Sequence, residues 1–234
     1  MTEQDFIPQY YDSSILIEGS YTWKTPSNIA LVKYWGKKDP QIPENTSISF
    51  TLNNCHTITS MEFIKRRSES DHISDQGETL KQVQRDEMNF EIYFEGEKKE
   101  AFKPKIASFF ERIKRYAPYL NDYNIVINSK NSFPHSSGIA SSASGMSALA
   151  LCIMSLEKEF NVSMTDDYFY KKASFLARLG SGSACRSIKG EIVVWGKHEL
   201  IAGSSDLYGV EFADEVHESF KNYQDTILLV DTGE

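Results

Sequence analysis

The run Asn131-Ser-Phe-Pro-His-Ser-Ser-Gly-Ile-Ala-Ser-Ser-Ala-Ser-Gly145 constrains this chain more than any other feature, because of what flanks it. Ahead of it, Tyr123 to Asn128 contains Ile125-Val126-Ile127 and predicts a strand. Behind it, Ile139, Met146, Leu149, Ile153 and Leu156 share one helical face and predict a helix from about Gly138 to Lys158. Where a glycine-containing loop feeds a helix, the first N–H groups of the helix have no partner within it. Together with the positive end of the helix dipole and the Ser141 and Ser142 hydroxyls, they form a site for an anion such as a nucleotide phosphate. Gly138 permits unusual backbone angles there. No Gly-Lys-Ser/Thr follows, so the loop is not a Walker A motif. From this segment alone, a phosphate cradle and a small-residue helix packed tightly on a sheet are both open.

The remaining pattern mixes strands and helices without regular alternation, which predicts an α+β fold. Ile48, Phe50 and Leu52 alternate with polar residues, and Thr57 to Phe63 reads as their hairpin partner across a turn at Asn53-Asn54. Phe90, Ile92 and Phe94 form a strand closed by a Glu95-Gly96 turn. Pro104 opens a helix carrying Ile106, Phe109, Phe110, Ile113 and Tyr116. A capping box at Ser163 and Asp166 is expected to start another helix, which stops at Gly180. Ile192 to Trp195 and Thr226 to Asp231 read as strands, and residues 65–88 as an exposed connection. Residues 1–20 read as an N-terminal extension, 21–203 as the main domain, and 204–234 as a connection and the first strand of a second domain.

A net charge of −8 argues against nonspecific binding to nucleic acid or to an anionic membrane. It leaves room for a phosphate bound by a few local cations. Three scattered cysteines with no Cys-x-x-Cys pair suggest neither a disulfide framework nor a zinc site. The most apolar stretch, Ala148 to Met154, is far short of the ~20 residues of a spanning helix. The N-terminus lacks a secretory pattern, so a cytoplasmic protein is expected.

Two further segments bear candidate binding groups. Pro26-Ser-Asn-Ile-Ala-Leu-Val-Lys-Tyr-Trp-Gly-Lys37 sets two lysines beside Tyr34 and Trp35, although a solvated face also accounts for such a pair. Gly180-Ser-Gly-Ser-Ala-Cys-Arg-Ser187 combines glycines, hydroxyls and one arginine, a plausible cradle for phosphate or carboxylate. For the segment in isolation a helix end followed by a turn is the favoured reading, and Cys185 breaks the Gly-x-Gly-x-x-Gly pattern.

Taken together and in order, these segments resemble the diphosphomevalonate decarboxylases of the GHMP kinase superfamily. The specific pieces are Asn28 to Lys37, Gly138 to Ala143 and Gly180 to Ser187. The resemblance implies a GHMP-kinase-type α+β domain followed by the start of a ferredoxin-like one. It implies ATP-dependent decarboxylation of (R)-5-diphosphomevalonate to isopentenyl diphosphate, with Mg2+ accompanying ATP and a homodimer as the usual assembly. By motif position it implies Lys33 beside the reacting hydroxyl, and Tyr34, Trp35, Gly36 and Lys37 on the substrate diphosphate. Ser181, Gly182, Ser183, Ala184 and Cys185 would form a second wall, with Arg186 on the carboxylate and Lys105 near the diphosphate. Ser137, Gly138, Ile139, Ala140, Ser141 and Ser142 would hold the ATP phosphates.

Two departures stand out. His135-Ser136-Ser137 replaces the Thr-Ala-Ala of the family before the loop glycine. The serine-rich substrate segment and the catalytic aspartate base of the family are expected beyond Glu234, outside these 234 residues, and neither Asp166 nor Asp206 is assigned that role. The chain is therefore expected to correspond to the N-terminal two-thirds of such an enzyme and to be inactive alone. The alternatives are a related mevalonate or phosphomevalonate kinase or decarboxylase, and a noncatalytic nucleotide-binding fragment.

Overall fold

A computed structural model describes residues 1–66, 88–134, 138–221, 223–226 and 228. The elements along the chain are β1 (Glu18–Val32), β2 (Lys37–Lys38), β3 (Ile42–Pro43), β4 (Ser47–Lys65), β5 (Asn89–Phe94), β6 (Glu97–Lys98), α1 (Lys103–Ile113), β7 (Tyr123–Asn131), α2 (Ser141–Phe160), α3 (Asp166–Gly180), β8 (Ile192–Trp195), β9 (Val210–Glu211) and α4 (Glu218–Lys221). The main sheet runs β6-β5-β7-β4-β8-β9, with β1 also paired to β4, and β2–β3 stand apart as a small hairpin. Only β5 and β7 pair in parallel among the described strands. The expected α+β class is observed.

The hairpin expected around Asn53-Asn54 is not formed. β4 is one strand along its whole length, with Pro26 of β1 opposite His56 and Ser27 opposite Leu52. Asn53, Asn54 and Cys55 bulge out between those pairs. The physical reason is a change of neighbour. β7 pairs with Thr57–Lys65 while β8 pairs with Ser47–Phe50, and the bulge absorbs the twist between the two halves. The long β1, absent from the sequence-based segmentation, supplies a partner to both halves.

Period-2 burial sends Thr57, Thr59, Met61 and Phe63 of β4 inward, together with Ile125 and Ile127 of β7. Helix α2 packs on this face against β1 and β4, and α3 packs on α2. Small side chains on α2, namely Ala143, Ser144, Ser147 and Ala148, are fully buried and allow close approach. Between α2 and α3 lies a buried charge pair. Lys172 Nζ sits 2.6 Å from both Glu157 carboxylate oxygens, and Tyr119 donates to the same carboxylate at 2.7 Å.

Other expectations shift by a few residues. Helix α3 is capped by Thr165, whose hydroxyl accepts the Tyr168 amide at 3.2 Å, and not by Ser163, whose hydroxyl bonds Asn161. The Glu95-Gly96 turn forms as expected, with φ of 54° and 86° at its two residues. In the first twenty residues, Phe6 is fully buried and stacks on Phe175 at 4.4 Å. The exposed connection falls largely on residues 67–87, outside the described residues, as does most of the strand expected over Thr226 to Asp231. Glu234, past which the family's aspartate base is expected, lies outside the described residues as well. Among the described residues, no helix is long and apolar enough to cross a membrane.

Candidate ligand cleft

β7 ends at Asn131 and α2 begins at Ser141, so the small-residue loop joins a strand to a helix as its composition requires. Gly138 has φ of 79° and Ala140 is left-handed at φ 51°, so the chain turns sharply just before the first helical N–H groups. No side chain caps α2, and a Cβ built on Gly138 would meet nothing within 4 Å. The loop is thus open on its outer side and held on its inner side. Ser27 donates to the Ile139 carbonyl, and Thr25 donates to the Ser144 carbonyl at 2.6 Å. Thr57 and Ser144 share a hydroxyl pair at 2.6 Å. Ser137 lies outside the described residues.

Lys105, on α1, donates to the Ser142 hydroxyl. Burial pushes its pKa below the ordinary lysine value. This cation therefore stands at the start of α2. Beneath it opens a cavity of about 300 Å³ whose walls are mainly apolar, including Phe94, Phe102, Ile106 and Met146, with Thr57, Thr59, Ser129 and Asn131 among its polar members. Thr57 bonds Asn131 Oδ1 at 2.8 Å, while the buried Asn131 Nδ2 has no partner among the described residues. Sequence reading missed this cavity because its walls come from β4, β5, β7, α1 and α2.

The second cluster is built around Arg186, in the 3-10 turn Gly182–Ser187 that follows α3. Arg186 is 2% exposed, stacks near Tyr34 at 5.7 Å and Trp195 at 5.8 Å, and has its pKa lowered by burial. Its Nη1 donates to Ser47 at 2.6 Å and its Nη2 to Asn28 Oδ1 at 3.3 Å, while Nε has no partner among the described residues. Tyr34 packs edge-on against Trp195 at 4.9 Å, and Lys37 lies 5.8 Å from the Tyr34 ring. Lys37 donates to Gln41 at 2.6 Å across the β2–β3 hairpin. Gly182 must be glycine, since a side chain there would approach Trp195 to 2.8 Å.

Four consecutive carbonyls of this turn are held by side chains. Gly182 accepts from the Cys185 thiol at 3.0 Å, Ser183 from Asn28 at 3.1 Å, Ala184 from Ser147 at 2.7 Å and Cys185 from Ser174 at 2.8 Å. Burial raises the Cys185 thiol to about 12, so it is a packing group rather than a nucleophile. Ser147 sits on α2, so the loop helix and this turn are physically tied. Lys33 and Trp35 project outward, Trp35 being 85% exposed, while Asn45 bonds the Lys33 carbonyl at 3.0 Å and the Trp35 amide at 2.8 Å. Gly36 accepts the Glu44 amide at 3.0 Å.

The structure therefore gathers Tyr34, Lys37, Gly182 and Arg186 into one wall, with Asn28, Gln41, Ser47 and Trp195 added from elsewhere. Lys105 is grouped with Ser142 at the loop. Asn28 lay inside a motif that sequence reading quoted without giving it a role. Ser47 and Trp195 carried no local signal, because only β4–β8 pairing brings them together.

Residues 25–206 match the family model for the diphosphomevalonate decarboxylase-like N-terminal domain. The chain is 38% identical over 208 residues to diphosphomevalonate decarboxylase of Ganoderma lucidum, covering 84% of this chain and 46% of that protein. It is 30% identical over 210 residues to the same-named protein of Bos taurus, covering 84% and 45%. Among solved structures, mevalonate diphosphate decarboxylase of Staphylococcus aureus superposes with a TM-score of 0.60 at 32% identity, covering 83% of this chain and 50% of that one. A further one, described as MDDEF in complex with MVAPP, AMPPCP and magnesium, superposes with a TM-score of 0.58 at 30% identity, covering 82% and 49%. The chain spans about half the length of the curated relatives it matches, a smaller share than the two thirds expected.

Proposed function

The chain belongs to the diphosphomevalonate decarboxylase-like family, and we propose that it supplies the ATP- and substrate-binding half of an enzyme that decarboxylates (R)-5-diphosphomevalonate to isopentenyl diphosphate. The observation that carries this reading is Arg186. A buried guanidinium whose hydrogen bonds go to two neutral side chains, with Nε unpaired, is costly unless a ligand anion completes it. A carboxylate is the planar anion its fork fits best.

In this reading Lys37 and Tyr34 receive the diphosphate, and the Ser181, Gly182, Ser183, Ala184 and Cys185 backbone of the adjoining turn lines the same wall. Gly36 and Trp35 border the entrance. Lys33, exposed here, is assigned by motif position to the tertiary hydroxyl, where a cation would steady the charge that develops on phosphoryl transfer. Phosphorylation turns a poor leaving group into a good one, and loss of phosphate then draws electrons from the breaking carbon–carboxylate bond as CO2 departs.

The Gly138–Ser142 loop receives the ATP phosphates, and Lys105, expected near the substrate diphosphate, is reassigned to them because it donates to Ser142. The cavity beside them, with the free Asn131 amide as a donor, accommodates the base. These groups fit a polyphosphate. Mg2+ accompanying ATP keeps waters and is held largely by phosphate oxygens. It would neutralise phosphate charge, and the hydroxyls of Ser141 and Ser142 are the nearest oxygen ligands the loop offers. A homodimer in the cytoplasm is carried forward as part of the same proposal.

Titration of the chain with mevalonate, its 5-phosphate, its 5-diphosphate and Mg-ATP tests the reading. Tight binding of the diphosphate, together with Mg-ATP, is expected. Equal affinity for all three mevalonate species would overturn the substrate assignment.

A further inference from the structure

Helix α3 turns two polar side chains one turn apart into the interior, Ser174 and Arg178. Buried polar groups are costly unless bonded, so their partners are informative. Ser174 Oγ donates to the Cys185 carbonyl at 2.8 Å and accepts the Gly209 amide at 2.9 Å. Arg178, with no exposed surface, donates from Nε to the Leu207 carbonyl at 2.8 Å and from Nη1 to the Pro40 carbonyl at 2.6 Å. Its Nη2 lies 3.7 Å from the Glu3 carboxylate, and its guanidinium lies 5.1 Å from the Phe175 ring centre.

Three of these partners belong to segments that border the candidate site. Pro40 is the tip of the β2–β3 hairpin that carries Lys37. Cys185 belongs to the turn that carries Arg186. The segment around Leu207 backs Trp195, whose indole donates to the Asp206 carbonyl at 2.9 Å. The hairpin has only two paired positions of its own, and Lys37 to Pro40 are exposed, so its placement needs an outside hold. Hairpin and turn nearly touch, since a Cβ on Gly182 would lie 3.4 Å from Lys37 Cδ and 3.3 Å from Gln41 Oε1.

We infer that Arg178, with Ser174 one turn before it, is a positioning residue that holds the Lys37 hairpin against the Gly182–Ser187 turn. The inference rests on the reading of that junction as the diphosphate site. A guanidinium is needed because its partners belong to separate segments, at Pro40, Leu207 and Glu3, which a single ammonium cannot span.

The test uses the 234-residue chain with Arg178→Lys and Ser174→Ala. Affinities for 5-diphosphomevalonate, 5-phosphomevalonate and Mg-ATP are measured alongside amide hydrogen exchange. Losing charge-assisted bonds to Pro40 and Leu207, Arg178→Lys is expected to weaken diphosphate binding by about tenfold or more, with less effect on the monophosphate and Mg-ATP held within about twofold. The Glu44 amide, which closes the hairpin onto Gly36, should exchange faster while β7 keeps its protection. Native β7 protection with unchanged Glu44 exchange and unchanged affinities overturns the inference. If β7 protection is lost in Arg178→Lys, Ser174→Ala decides: an exposed Gly209 amide with undiminished diphosphate affinity overturns it. If the unaltered chain binds no diphosphomevalonate, the substrate reading falls, and the exchange at Glu44 alone judges the positioning role.

Discussion

A guanidinium that bonds only neutral oxygens keeps its full charge waiting for an anion, and this governs what can replace Arg186. A lysine there retains the charge but is more strongly hydrated and cannot reach Ser47, Asn28 and a carboxylate together. Arg186→Lys is expected to weaken diphosphomevalonate binding by about 10²-fold, as removal of a desolvated charge partner does. Calorimetric titration giving an affinity close to that of the unaltered chain would show that charge alone suffices. Lys105 behaves differently because burial lowers its pKa. A phosphate beside Ser142 favours the charged ammonium, so nucleotide affinity is complete where Lys105 is protonated and falls as pH rises through its depressed pKa. The decline should begin below the ordinary lysine range and disappear in Lys105→Met. A flat ATP-affinity profile from neutral pH up to that range would remove Lys105 from the nucleotide site.

At the level of elements, the α2–α3 contact hinges on one buried ion pair and one cap. Glu157 has its two oxygens taken by Lys172 and Tyr119, so Glu157→Leu alone strands a buried ammonium. A loss of ~3–5 kcal/mol is expected, and Glu157→Leu with Lys172→Met should recover most of it. Urea midpoints at constant slope measure both; a double variant no better than the single one would contradict the pair's role. The cap gives a sharper contrast. Thr165→Ala is expected to cost ~1 kcal/mol, and Ser163→Ala close to nothing, because only the Thr165 hydroxyl meets an amide of α3. Equal costs in thermal unfolding would restore Ser163 as the cap. The missed hairpin follows from the same physics. Asn53-Asn54 has the composition of a turn, yet β1 offers continuous pairing on one edge, and a bulge satisfies that composition without reversing the chain.

For the whole molecule, the net charge of −8 coexists with a cleft whose conspicuous charges are Lys37 and Arg186, with Lys105 at the adjoining loop. Bulk repulsion of an anionic ligand is offset locally by those cations, burial and loop amides. Binding of both ligands is expected of the residues described. Mg-ATP or diphosphomevalonate at about a hundred times its dissociation constant should raise stability by ~2.7 kcal/mol. Thermal unfolding with and without each ligand measures this, and an unchanged transition would remove that ligand from the proposed site.

Residues close together in the chain were enough to specify the local parts. Period and punctuation set β7, α1, α2 and the end of α3 at Gly180, because hydrophobic spacing and helix stops act over a few residues. Motif order pointed to the family, and with it to three candidate ligand segments. How those segments meet was settled by packing. Asn28, Ser47 and Trp195 reach Arg186 from three strands, Ser147 ties α2 to the turn, and Lys105 comes to Ser142 from another helix. None of these contacts is encoded by neighbouring residues. Each depends on a strand register or a helix packing angle fixed by burial of distant apolar side chains, and a buried polar group then bonds whatever partner that packing brings within reach.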